Sequence, residues 1–276
     1  MIGYVISDIH VDFYVPQSKI YLEQEPHFEK FYQEHFLPAD VLFIAGDIAN
    51  DYYTQVGFLR FIAGKYAQVY VVHGNHDLLV KNNTTFGNGN PFKKSADRMQ
   101  KVADDLSGYP NVHILEGPVE GPVGGCMGFA DFMYGYAPGA AMYYWKKNFI
   151  DARGWNYMRN RADAISLHYK HLVGECIAMA PKVMMTHYCP IEMGVSEQYA
   201  DDPFTPCFYF TASEYMNTGS PDLWICGHTH DQYDTTWVDA NGRPHRILCN
   251  PLGYPSDLND FAACLASKKY LIEVDL

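Results

Sequence analysis

The amino-acid sequence predicts an α/β protein in which two mixed β-sheets pack face to face with helices on the outside, a four-layer αββα sandwich. Three observations predict it. Short apolar runs rich in β-branched residues, each closed by Asp or Gly, recur along the chain and read as buried strands. Segments with apolar residues at three- and four-residue spacing lie between them and read as amphipathic helices. The second half repeats this style with different connections, including an antiparallel hairpin, and two mixed sheets would bury every run. With no internal repeat and no low-complexity linker, residues 1–276 are expected to form one domain.

The elements follow in order. Ile2 to Ser7, Val41 to Ala45 and Val69 to Val72 are strands, with helices near Phe28 to Phe36 and Gln55 to Tyr66 between them. A third helix is expected from Ser95 to Leu106, stopped by Gly108 and Pro110, and a fourth from Tyr157 to Met179, ended by Pro181. Val112 to Leu115 and Cys126 to Ala130 read as strands across the Gly/Pro-rich EGPVEGPVGG, which suits a hairpin or loop. Lys182 to Thr186, Leu223 to Cys226, Arg246 to Cys249 and Tyr270 to Val274 complete the strands. Trp237 to Asp239, turned by Asn241 and Gly242, leads into Arg246 as a hairpin.

Composition narrows the function. No stretch approaches the roughly 18 apolar residues of a membrane span, and MIGYVISDIH lacks the basic start of a signal peptide. The 7 cysteines are scattered without a CxxC pair, which suggests buried reduced thiols and a cytoplasmic protein. A net charge of −12 disfavours nucleic acid and anionic membrane as partners and leaves a small phosphorylated substrate. Oligomeric state is not legible.

Metal-binding side chains gather in five clusters, each just after an apolar run: Asp8 and His10 in SDIH, Asp47 in GDIAND, Asn75 in GNHD, His187 in MMTHYCP, His228 and His230 in GHTH. DxH alone is more often a helix cap beside an unrelated histidine, and a lone His187 more often a satisfied core residue. GNHD and GHTH are more specific, because glycine permits a tight turn and two imidazoles at a strand end are uncommon in a core. Sites in open α/β sheets form at the carboxyl ends of strands, where all five clusters stand. Together they supply enough oxygen and imidazole ligands for two adjacent divalent cations, an arrangement used for displacement at phosphorus.

The order DxH, GDxx, GNHD, lone His, GHTH resembles the calcineurin-like metallophosphoesterase superfamily, over Asp8 to Gly253. The segments DDPF at Asp201 to Phe204, PDLWICGHTH and CNPLGYP at Cys249 to Pro255 resemble a bacterial and phage subgroup with NPRGYP. The resemblance implies one metal on Asp8, His10 and His230, another on Asn75, His187 and His228, and Asp47 bridging them. It further implies that the metals are Mn, Fe or Zn, that a hydroxide bridging them attacks phosphorus in line, and that His76 protonates the leaving oxygen. The expected activity is hydrolysis of a phosphate mono- or diester. A non-catalytic metal-binding interaction module and a nuclease are the alternatives; the complete ligand set opposes the first and the acidic balance the second.

Departures from the pattern bear on the site. Asn50 and Asp51 stand where serine/threonine phosphatases carry the Asp and Arg of GDxxDR, so a phosphate-gripping arginine is replaced by a carboxylate. Asn50 can still accept a hydrogen bond from His76, and Asp77 is counted with these two as a catalytic candidate. Leu252 replaces the Arg of NPRGYP, and Tyr188 a second histidine of THHxP. Tyr52, Tyr53 and Tyr188 are candidate substrate-wall residues. The aromatic stretch Phe129 to Trp155, with Tyr134, Tyr136, Tyr143, Tyr144 and Trp145, reads as core and loop packing ahead of a substrate lid. His73, His113, Cys226 and Cys249 read as core; His27, His35, His168, His171 and His245 as surface or helix-face residues.

Overall fold

A computed structural model describes residues 1–80, 90–135, 137–191, 201–216 and 221–276. The N-terminal run forms strand β1 (Ile2–Ile6), followed by helix α1 (Tyr21–His35), β2 (Val41–Ala45), α2 (Tyr52–Ala63) and β3 (Gln68–Val72). Helix α3 (Ser95–Leu106) leads to β4 (Val112–Ile114). The strands β1 to β4 pair in parallel in sequence order, and the final strand, Leu271–Glu273, joins β1 antiparallel at the other edge. Every residue of β2 is buried, as expected of a central strand covered on both faces.

The second sheet uses β5 (Val123–Gly125), β6 (Val183–Met185), β7 (Leu223–Cys226), β8 (Tyr233–Val238) and β9 (Pro244–Cys249), in the order β5-β6-β7-β9-β8. All pairs are parallel except the β8–β9 hairpin. Side chains alternate across this sheet with period two. Val183, Met185, Ile225 and Leu248 join the core shared with the first sheet. Met184, Trp224, Cys226, Ile247 and Cys249 face the other way, into a second core. That outer core is covered by α4 (Pro138–Asn148), α5 (Ile150–Gly154) and α6 (Ala162–Ala178), which bring in Trp145, Trp155, Tyr169 and Val173. A short α7 (Ser213–Met216) follows, and α8 (Leu258–Ser267) sets Phe261 in the first core, ahead of the final strand, β10. The expected pair of mixed sheets with outer helices is what forms.

Several boundaries differ from expectation. The strand expected at Cys126–Ala130 lies earlier, at Val123–Gly125, because those residues pair in register with Val183–Met185. Gly125 permits the close approach: a Cβ there would meet the Met185 carbonyl at 2.7 Å. Helix α2 starts at Tyr52 because the Asp51 carboxylate accepts from the Thr54 N–H at 2.8 Å, a cap worth about 1 kcal/mol. Helix α6 starts later than Tyr157, since Met158, Arg159 and Asn160 have positive φ. The aromatic stretch is in part helical, as α4 and α5, with Trp145 and Trp155 buried and Tyr143 exposed; Tyr136 lies outside the described residues. His245, expected at the surface, is fully buried on β9, where its Nδ1–H donates to the Pro221 carbonyl at 2.6 Å. Among the described cysteines, Cys126, Cys176, Cys189, Cys207, Cys226 and Cys249 are buried. No helix among the described residues is long and apolar enough to cross a membrane.

Candidate metal centre

All five ligand clusters follow the carboxyl ends of parallel strands: β1, β2 and β3 in one sheet, β6 and β7 in the other. The chain must reverse sharply there, and the backbone shows it. Asp8, His10, Asp47, His228 and His230 all adopt left-handed φ between 44° and 70°. Non-glycine residues enter that region at a cost, and such strain gathers at functional sites. Two glycines allow the loops to close on one another. A Cβ at Gly74 would stand 2.1 Å from Asp47 Oδ1, and one at Gly227 would meet Asp8 Oδ2 at 2.7 Å.

The seven expected ligands converge. Asp8, His10 and His230 form one group and Asp47, His187 and His228 another, with His10, Asp47 and His76 between them. Asp47 Oδ2 lies 3.4 Å from His187 Nε2 and 3.8 Å from His10 Nε2. His230 Nε2 is 3.6 Å from Asp8 Oδ1 and 3.4 Å from His10 Nε2. Asn75 Oδ1 is 2.8 Å from His187 Nε2. Each group therefore offers nitrogen and oxygen donors at distances that a cation could span.

Hydrogen bonds around the ring fix which atoms face inward. His187 Nδ1 donates to the Ala45 carbonyl at 2.8 Å, which leaves a lone pair on Nε2 when the ring is neutral. Asn75 Nδ2 donates to Asp151 Oδ1 at 2.9 Å, which turns its amide oxygen onto that same Nε2. Two acceptors 2.8 Å apart need a positive species, either a proton or a metal ion. His228 Nε2 is buried with no hydrogen-bond partner among the described residues. His230 Nδ1 lies 3.3 Å from the Asp257 carboxylate, the arrangement that orients a ligating imidazole. These residues fit a pair of divalent cations.

Electrostatics agree. Burial, reinforced by neighbouring histidines, holds His10 and His228 well below the usual imidazole range, so both are neutral ligands at pH 7. Burial opposes charge on Asp47 as well, yet His187, His76 and His10 outweigh it and keep the carboxyl well below its usual range. Burial alone would lower His187; the Asp47 carboxylate prevails and lifts it to about 9. A cation bound through Nε2 near pH 7 would therefore have to displace a proton from His187. Calorimetric metal titrations in buffers of different ionisation enthalpy should show release of about one proton from this ring. A binding enthalpy independent of buffer would contradict that account.

The catalytic candidates separate. His76 Nδ1 donates to Asn50 Oδ1 at 2.6 Å, its N–H donates to Asp47 Oδ1 at 2.8 Å, and its Nε2 stands 4.0 Å from Asp47 Oδ2. It borders the cleft in the group with His10 and Asp47, outside the two groups that hold the other expected ligands. Buried Arg98 holds this corner from behind, donating to the carbonyls of Ala49, Asn50 and Leu79 and to Gln55 Oε1. Asp77 is corrected: its carboxylate is fully buried and accepts the N–H groups of Ile48, Ala49 and Gly74, so it ties the β2 and β3 loops together and faces no substrate.

The family model for calcineurin-like phosphoesterases matches residues 4–232. The chain belongs to that family. Among solved structures, the phosphopantetheinyl hydrolase PptH from Mycobacterium tuberculosis has the same fold, with a TM-score of 0.65 at 20% identity over 94% of this chain and 91% of that one. A dimetal phosphatase from Danio rerio aligns at 13% identity over 90% and 86% of the two chains, with a TM-score of 0.43. A metallophosphoesterase from Sphaerobacter thermophilus aligns at 13% identity over 92% and 77%, with a TM-score of 0.33. No curated protein matches the chain.

Within this family fold, three expected wall residues are not on the wall. Tyr52 and Tyr53 line a separate groove beside Lys19, Arg60 and Phe92, because α2 begins at Tyr52 and turns both rings towards α1 and α3. Tyr52 donates its hydroxyl to Asp105. Tyr188 is buried, with its ring centroid 4.1 Å from that of His228 and its hydroxyl donating to Asp151 Oδ2 at 3.4 Å; it backs a candidate ligand. Leu252 is buried in the core between the sheets, so its position offers no cleft contact.

The cleft is lined by residues that were not named as wall candidates. Phe149, Ile150, Phe204, Phe208, Tyr209 and Tyr254 line the cleft together with Asp47, Asn75, His76, His228 and His230. Tyr254 stacks on His10 at 4.4 Å, and Gly253, at φ +78°, makes the preceding turn. Asp151 and Trp155 hold Asn75 through its amide and its carbonyl. The sequence traces of these roles are the DDPF segment, which holds Asp202 and Phe204, the GYP of NPLGYP, which holds Tyr254, and the aromatic stretch that holds Phe149.

Proposed function

We propose that the protein is a dinuclear metal-dependent phosphoesterase that hydrolyses a small phosphate mono- or diester. The observation that carries this reading is the convergence of Asp8, His10 and His230 in one group and of Asp47, His187 and His228 in another, the ligand atoms of each lying within 4.8 Å of one another. When bound, two divalent cations would acidify a water and offset charge on the phosphoryl oxygens. Asp8, His10 and His230 would hold one, Asn75, His187 and His228 the other, with Asp47 shared. The donor set of oxygens and imidazoles suits Mn, Fe or Zn. His76 is the general acid: Asn50 orients its ring through Nδ1, and Nε2 is left to donate to the leaving oxygen. The buried Asp77 and Arg98 keep the two loops that carry Asp47 and His76 in register.

The small-substrate reading draws support from the acidic balance, −12 overall. Because the fold is shared with a phosphopantetheinyl hydrolase, a phosphopantetheinyl ester belongs in the substrate panel. Chelation should abolish turnover of chromogenic phosphate esters, and Mn²⁺ should restore it. If metal-loaded protein turns over neither monoesters nor diesters, the non-catalytic module becomes the better reading.

A further inference from the structure

The cleft over the metal centre encloses about 470 Å³, and one side of it is aromatic. Phe208 tilts against the ligand His228 with ring centroids 4.8 Å apart. Phe149 packs on Phe208 at 5.6 Å, and Phe204 on Phe149 at 6.1 Å. The three half-buried rings make a continuous apolar surface that leads from the metal centre outward. The charged residues of the lining beyond the ligands and His76 are two carboxylates, Asp202 and Asp231. No Lys or Arg lines the cleft among the described residues.

We propose that this site is built for a monoanionic phosphodiester with one arm that is aromatic or apolar, carries no further negative charge, and lies along Phe208, Phe149 and Phe204. The proposal rests on the phosphoesterase reading above and specifies its substrate class. A flat apolar arm removes those rings from water and gains stacking geometry that a short alkyl arm cannot. A second anionic group would meet Asp202 or Asp231 in place of a cationic side chain, and repulsion of that kind excludes competitors. Asp202 is fixed for this role, since its Oδ1 accepts the Phe204 N–H at 2.8 Å. The same contact ties the carboxylate to the aromatic wall.

Four esters with one leaving group test the idea on the metal-loaded protein: p-nitrophenyl phosphate and its phenyl, methyl and 4-carboxyphenyl diesters. The phenyl diester should exceed the methyl diester in kcat/KM by about tenfold, the scale of one stacked ring. It should also exceed the carboxyphenyl diester and the monoester. Phe204→Ala should shrink the phenyl-to-methyl ratio, and Asp202→Asn the phenyl-to-carboxyphenyl ratio. Independently of turnover, calorimetry should show diphenyl phosphate binding more tightly than dimethyl phosphate. The wild-type ratios decide the matter even if a variant does not fold. A phenyl-to-methyl ratio near one, or preference for the monoester, overturns the substrate class and leaves the phosphoesterase reading standing. Failure to hydrolyse any of the four overturns both.

Discussion

An Asp47→Ala variant is expected to lose metal and turnover together, falling from about two metal ions per chain to one or fewer. Asp47 is the carboxylate within reach of both ligand groups: Oδ2 stands 3.4 Å from His187 Nε2 and 3.8 Å from His10 Nε2. Its Oδ1 accepts the His76 N–H, so the same side chain also anchors the GNHD loop. Removing it takes away the shared anion and leaves imidazoles facing one another in a buried site. Each remaining group would then hold a divalent cation with too little negative charge. Metal analysis after loading with excess Mn²⁺, alongside the chromogenic assay, reads both effects. Two metals retained with activity lost would mean that Asp47 is not the bridge.

The candidate ligands were legible in sequence because each stands within a few residues of a strand end, and in GDIAND, GNHD and GHTH a glycine marks a tight turn. Asp8, Asp47 and Asn75 could be placed without knowing the fold, since β1, β2 and β3 declare themselves as apolar runs. The substrate wall was not legible, for a physical reason. Phe149 lies far in the chain from Phe204 and Phe208, and the rings meet only when the end of α4 packs on the chain after Asp201. Phe204 closes the DDPF segment, yet nothing local says that its ring, or that of Phe149 or Phe208, leaves the core where Trp145 and Trp155 stay. Tyr52 and Tyr53 show the converse error. Adjacency to GDIAND suggested the cleft, yet the helix they begin turns them away from it. Asp77 misled in the same way, because a carboxylate beside a candidate general acid can serve the loop backbone instead.

His76→Ala should separate catalysis from metal binding. The imidazole is held at the rim by the Asn50 oxygen at 2.6 Å and packs edge-on against His10 at 4.9 Å, while Asn75 beside it turns into the metal site. Loss of the ring removes a proton donor and no ligand, so metal occupancy should stay near that of the wild type. The rate should fall by about 10²–10⁴-fold, the usual contribution of a positioned general acid. The size of the loss should track the leaving group. Esters of alkyl alcohols, which need a proton as the bond breaks, should suffer most, and p-nitrophenyl esters least. Asn50→Ala should follow the same pattern with a smaller loss, because it leaves the acid in place and removes what aims it. Metal analysis with kcat across a leaving-group series distinguishes the outcomes. If His76→Ala loses metal as severely as Asp47→Ala, His76 is a ligand and the division of the site must be redrawn. If the loss is equal for alkyl and p-nitrophenyl esters, His76 acts on the phosphoryl group and not on the departing oxygen.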